Sequence, residues 1–383
     1  MPGGSGGTDV RGEPGVPEET HPPGATNLTG ATNLTGDTDL TGDTDLTVSF
    51  EARSLGSALR LAVTLSDAFD RGDAEATAAV AWTAVLAEFD AVDRSLSRFR
   101  ADSELTRLNR LAGSGSVTRV SRRLRVTLAT IDRAARITGG RFDATVLGDL
   151  ERLGEHGADL GEPVEPVTAV EPGVPVAVGE PGVPVAAGDP ALRTWPVHVP
   201  AVPLDTGGIG KGLALRWAAR AAMAALPANS GILLEAGGDI VQAGRLPADG
   251  CRIGIEDPAA APGEPGGAVA PIVVLELRDG AVATSSVRVR NWVGPDGRRV
   301  HHLVDPRTRE PARTGLIAVT VAMADPAWAE VWSKALFVGG RDAIGGEARA
   351  RGLAAWWIDD RGRLGMTPDA RVRTAWAAED RLG

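Results

Sequence analysis

The sequence predicts an α+β fold with mixed or antiparallel sheets and packed helices. Helical and strand-like segments alternate irregularly, without the βα period of a doubly wound parallel sheet. Short apolar runs are broken by glycine turns, and amphipathic stretches carry cap residues at their ends. In order, residues 74–97 carry Val85, Phe89, Val92 and Leu96 at helical spacing. Residues 122–138 repeat that spacing with Leu124, Leu128, Ile131 and Ala135, with Ser121 as cap and Gly139–Gly140 as stop. A helix over 211–226 is expected to turn Trp217, Ala218, Ala221 and Ala225 inward and Arg216 and Arg220 outward. "GILLEAGGDIVQAG", "PIVVLELRDGAVATSS" and "TGLIAVTVAMA" read as strands. "DPAWAEVWSKALFVGG", residues 325–340, has an Asp cap, Pro at the first helical position and closing glycines.

With 383 residues and 43% hydrophobic side chains, the chain can bury a large core. Its net charge of −10 argues against general affinity for nucleic acid or an anionic membrane, while leaving room for a local basic site for a phosphorylated ligand. Cys251 is the single cysteine, so no intrachain disulfide can form. The first residues lack a basic n-region and an apolar h-region, and no run is long enough to span a membrane. The expected location is the cytoplasm, without membrane insertion. Residues 1–46, with a six-residue "TNLTGA"-type repeat over 26–47, are expected to form a disordered tail, and 47–383 one domain. A Pro/Gly-rich segment at about 158–194, with "EPGVPVA" twice, is expected as a surface insertion, and 258–271 as another loop.

Three motifs bear on chemistry. In "LDTGGIGKG", residues 204–212, glycines allow backbone N–H groups to approach an anion at a helix N-terminus, and Lys211 adds a charge. It is neither a Walker loop nor G-x-G-x-x-G, and a tight strand-to-helix turn without a ligand fits equally well. "HHLVDPRTREP", residues 301–311, offers His301, His302 and Asp305 for a metal. A strand end with one His packed inward is the commoner outcome, and alternation pairs His302 with Val304 and His301 with Leu303. In "GRFDATV", Phe142 beside Asp143 can hold a ring, or Asp143 can cap the following helix.

The order of these motifs resembles that of the FAD:protein FMN transferases, the ApbE-like family. The resemblance runs over roughly 50–360 through "LSRFRADSELTRLN", "GGRFDATV", "LDTGGIGKG", "LEAGGDI", "VATSS", "HHLVDPRTREP" and "AEVWSKAL". It implies an enzyme that binds FAD and Mg²⁺, passes FMN to a Ser or Thr hydroxyl of an acceptor protein carrying a flavinylation motif, and releases AMP. By motif match it assigns FAD contacts to Asp205, Lys211, Phe99, Arg141, Phe142, Asp143, Thr284 and, through its backbone, Val304. Leu55, in "SLGS", is a looser match. His302 and Asp305 fall at the catalytic segment, Asp305 as a structural or supporting group, and the Gly208 carbonyl at a metal-ligand position.

The metal helix of this family reads A-D-A-x-x-T-A, and here Glu330 stands at the Asp position and Lys334 at the Thr position. Glu can ligate a hard cation; an ammonium has no lone pair to give. Three readings stay open: an i, i+4 surface pair, a lysine charge in place of a full metal shell, or a flavin-binding site that no longer transfers. "TSS" replaces the usual T-S-G at Thr284–Ser286, which matters if that position needs a positive φ. The tail's "NLTGAT" resembles an acceptor motif, with Thr32 at the acceptor-like end and the leading Asp-Gly missing.

Overall fold

A computed structural model describes residues 33–38, 44–66, 69–160, 194–246, 250–258 and 271–382. Its frame is a nine-stranded sheet: β1 (Asn33–Thr38), β2 (Thr44–Ser54), β3 (Ser57–Leu65), β4 (Gly231–Ala236), β5 (Asp239–Gly244), β6 (Gly280–Ser286), β7 (Leu316–Met323), β8 (Ala354–Asp359) and β9 (Leu364–Met366). Spatial order equals chain order, and every neighbouring pair is antiparallel. The α+β expectation holds, with an antiparallel meander at its centre.

Strand alternation sends side chains to two faces. Ile232, Leu234, Val241 and Ala281 join a core with the long helix α1 (Arg71–Leu96) and its neighbours. Leu233, Ile240, Val282, Trp356 and Ile358 face the other way, onto a three-stranded sheet of Arg252–Glu256, Pro271–Glu276 and Thr374–Ala377. The remaining helices are α2 (Glu104–Arg110), α3 (Arg122–Ile137), α4 (Leu147–Arg152), α5 (Gly210–Ala225), α6 (Pro326–Gly339), α7 (Arg341–Ala350) and α8 (Pro368–Val372). Their caps follow the sequence: Ser121 accepts from Leu124 N at 3.2 Å, and Asp325 accepts from Ala327 N at 3.0 Å.

Two expectations change. The proposed 1–46 tail overlaps two strands, because β1 and β2 pair in register from Asn33↔Ser49 to Thr38↔Thr44. Backbone hydrogen bonding between the two strands extends the sheet there. Residues 1–32, including Thr32, and 161–193, most of the proposed insertion, lie outside the described residues. The inward face of α5 is also rotated: Leu213, Ala214, Leu215, Ala218, Ala219 and Ala222 are buried, while Trp217, Ala221 and Ala225 are only partly so. α5 packs between α1 and α6 as well as on the sheet, so its apolar arc is wider than one stripe. Arg216, expected outward, instead pairs with Asp325 at 2.6 Å.

Candidate functional site

The turn 205–209, entering α5, is held from several sides. Asn109 of α2 brackets Leu204, donating to its carbonyl and accepting from its N–H, both at 2.9 Å. Thr206 Oγ1 donates to the Leu96 carbonyl at 2.7 Å, and Asp205 N donates to the Ala144 carbonyl at 2.7 Å. None of Gly207, Gly208, Gly210 and Gly212 has a positive φ. These glycines therefore serve close approach. A Cβ on Gly208 would lie 3.0 Å from the Phe142 ring and 3.4 Å from Lys334 Cδ.

Around this turn lies an open pocket of about 570 Å³, open solvent included, lined by Arg141, Phe142, Asp143, Asp205, Gly207, Gly208, Arg290, His302, Val304 and Lys334, among others. Most of the sequence-named residues thus converge from four separate segments. Phe142 is buried beneath Gly208, with its N–H donating to Thr138 Oγ1 at 3.1 Å. Asp143 accepts from Thr145 N at 2.8 Å and so caps a one-turn 3₁₀ helix, Ala144–Val146, while still lining the pocket. The Arg141 guanidinium makes a bidentate pair with Glu347 of α7. Although burial opposes its ionisation, Arg141 and then Arg351 hold the Glu347 carboxyl below the usual range.

His302 and Val304 face the pocket, whereas His301 stands edge-on to Phe337, in the cluster that also takes Leu303. His302 Nδ1 lies 3.2 Å from the Arg290 carbonyl. A carbonyl only accepts, so Nδ1 carries the proton and Nε2 keeps its lone pair. Burial, then the charges of Arg290 and Lys334, pushes this imidazole down to about 3. It is neutral in the free protein. Asp305 turns away from this chemistry: its two oxygens accept from the Arg307 backbone N–H at 2.9 Å and from the Arg307 guanidinium at 3.0 and 2.8 Å. Those bonds hold its carboxyl below the usual range and fix the loop after Val304.

Three side chains missed in the sequence lie outside the pocket lining and brace residues around it. Arg98, 4% exposed, bridges Asp205 at 3.1 Å and Glu155 at 2.9 Å, and its guanidinium covers the Phe99 ring at 4.3 Å. Phe99 itself is 49% exposed and outside the pocket lining. Glu155 also pairs with Arg290. Asp239, inside the quoted "LEAGGDI", is 2% exposed and accepts from Lys211 Nζ at 2.5 Å and from Thr284 N at 3.1 Å. Burial alone would lower the Lys211 ammonium, but Asp239 and Glu330 outweigh it and raise its pKa. Thr284 Oγ1 meets Thr320 Oγ1 at 2.9 Å. Leu55 sits at φ 49° in the β2–β3 hairpin turn and is outside the pocket lining. Ser286 has no positive φ, so the missing glycine costs no backbone strain there.

Glu330 and Lys334 settle one question. Glu330 is 1% exposed and the Lys334 side chain 17%, so their i, i+4 pair is not a surface pair. Glu330 Oε2 accepts from Gly212 N at 2.8 Å, and Oε1 accepts from Lys334 Nζ at 3.1 Å. Both carboxylate oxygens already have donors, and an ammonium occupies the second ligand position. This donor set does not fit the Mg²⁺ that the resemblance implies. Among the described residues, no group of three or more His, Cys, Asp or Glu is arranged to hold a metal.

The fold matches that of solved flavin transferases. The ApbE protein from Thermotoga maritima matches with a TM-score of 0.66 at 24% identity, covering 86% of this chain and all (100%) of that one. Pseudomonas stutzeri flavinyl transferase ApbE, apo form, matches at 0.65 and 22% identity, covering 87% and 98%. The chain belongs to the ApbE family, whose model matches residues 55–357. Among curated relatives, the FAD:protein FMN transferase of Klebsiella pneumoniae (strain 342) is 28% identical over 331 residues, 84% of this chain and 88% of its own length. That of Treponema pallidum (strain Nichols) is 28% identical over 298 residues, 75% and 77% respectively. No helix among the described residues is long and apolar enough to cross a membrane.

Proposed function

We propose that this chain is an FAD:protein FMN transferase, moving FMN from FAD to a Ser or Thr hydroxyl of an acceptor protein and releasing AMP. The observation that carries the reading is the convergence of "GGRFDATV", "LDTGGIGKG", "HHLVDPRTREP" and "AEVWSKAL" on one pocket. Relatives carrying that name align over most of the chain.

The residues divide the work as follows. Phe142, Gly207 and Gly208 offer a flat apolar floor beside backbone groups. Arg290 and Lys334 supply positive charge for the diphosphate. The acceptor oxygen attacks the phosphorus of the FMN half. The bond from that phosphorus to the oxygen shared with the AMP half breaks, and AMP leaves with its electron pair. The hydroxyl proton passes to His302 Nε2 and on to solvent. A bound diphosphate offsets the charges of Arg290 and Lys334 that depress His302, which makes the imidazole a better base when the substrate is present. No step in this account uses a metal ion.

Incubating the protein with FAD and a peptide carrying a flavinylation motif tests the reading, with chromatography for AMP and mass spectrometry for the flavin-bearing peptide. Lys334 favours one alternative, a family member that binds flavin without transferring it. Bound FAD with neither AMP nor modified peptide, across several acceptor peptides, would favour that alternative.

A further inference from the structure

We infer that Lys334 is a built-in counter-cation for the ligand's diphosphate, so that this chain binds FAD without a divalent ion. The inference rests on the proposed flavin site and names the cation in it.

Three observations carry it. The Glu330 carboxylate is buried, and Gly212 N and Lys334 Nζ occupy its two oxygens, so the ammonium is anchored from behind. The lysine stem is fixed as well, packed where a Cβ on Gly208 would stand 3.4 Å from its Cδ and 3.5 Å from its Cε. Finally, the two pocket arginines are each tied to a carboxylate of another segment, whereas Lys334 answers only to Glu330 of its own helix. Arg141 is bidentate with Glu347, and Arg290 pairs with Glu155. Lys334 makes a single hydrogen bond, so two of its three N–H groups have no partner among the described residues. An anchored ammonium with two unspent donors at a pocket wall is a monovalent cation site made of protein. It is suited to phosphate oxygens and closed to a metal that would need the same carboxylate.

Equilibrium binding of FAD and of riboflavin, followed by flavin fluorescence, tests this on the full chain in EDTA and in excess Mg²⁺. The expected result is FAD affinity in EDTA within about twofold of that in Mg²⁺. Lys334→Met should weaken FAD by about tenfold to a hundredfold, the range of one charge-assisted hydrogen bond, and leave riboflavin unchanged. Lys334→Arg should restore part of the loss. FAD binding by the unaltered chain that requires Mg²⁺, with riboflavin binding intact, overturns the inference and leaves the flavin site standing. Failure to bind either flavin overturns both. The chelator comparison needs no variant, so it decides the question even if Lys334→Met does not fold.

Discussion

Gly212 of α5 lies so close to Ala327 of α6 that a Cβ on it would stand 2.6 Å from the Ala327 Cα and 2.7 Å from the Pro326 carbonyl oxygen. Both obstacles are backbone, so nothing can swing aside. Gly212→Ala must push the two helices apart, at about 1–3 kcal/mol, and it also moves the N–H that holds Glu330. Urea denaturation should show a lower midpoint with an unchanged slope. An unchanged midpoint would mean that the two helices yield without cost.

The Lys211–Asp239 pair sets a ceiling in alkali. The lysine's folded pKa is raised above its unfolded value, so its stabilising contribution is complete below the ordinary lysine range near pH 10.4. It is lost as pH climbs through the higher folded value. Lys211→Met leaves the buried Asp239 with only its Thr284 N–H bond and should destabilise the protein at neutral pH by about 3 kcal/mol or somewhat less, since the lysine is 30% exposed. Stability measured against pH should show an alkaline decline in the unaltered protein beyond that of Lys211→Met. Parallel curves would remove the pair from the account.

His302 acts in the acid range. Its folded pKa, about 3, lies below the unfolded value near 6.5, so its contribution is complete above pH 6.5. Between pH 6 and 4, unfolding takes up one extra proton and stability falls by about 1.4 kcal/mol per pH unit from this group alone. The difference in stability between the unaltered protein and His302→Gln should follow that slope. A flat difference would show that the imidazole is not held neutral.

Burial pushes the Cys251 thiol up to about 11. The folded protein should therefore react with a thiol reagent at pH 8 far more slowly than the denatured chain, because little thiolate exists there. Equal rates would place Cys251 in contact with solvent.

Lys334→Thr removes the ammonium and frees one Glu330 oxygen beside a hydroxyl. FAD binding by this variant should gain a response to Mg²⁺ that the unaltered chain lacks. Affinity that stays indifferent to Mg²⁺ would show that the two positions cannot make a metal site in this setting.

Local signals in the sequence located α1, α3, α5 and α6 closely and left the shorter helices α2, α4, α7 and α8 unmarked. Ser121 and Asp325 are side-chain caps whose geometry depends on a few neighbouring residues, and both act as expected. The meander was not legible, because pairing such as Val63↔Ile232 joins residues far apart in the chain. Motif order brought the pocket residues together, yet it could not say which way each side chain is committed. Arg141 is taken by Glu347, and Asp305 by its own loop. Arg98 stood inside the quoted "LSRFRADSELTRLN" and Glu155 outside every motif, and the role of neither was legible, since it is a buried charge bridge between segments that only folding brings together. Glu330 and Lys334 were visible as a pair, but whether a helix face is wet or dry depends on its neighbours.

Thr64 and Gly231 sit opposite each other in the ladder between β3 and β4. Everything from α1 through α5, including the turn at 205–209, leaves the sheet after one of these residues and returns just before the other. The segment from α1 through α5 is in this sense a detour whose entrance and exit share a doorway. Its length can change without moving a single rung of the ladder.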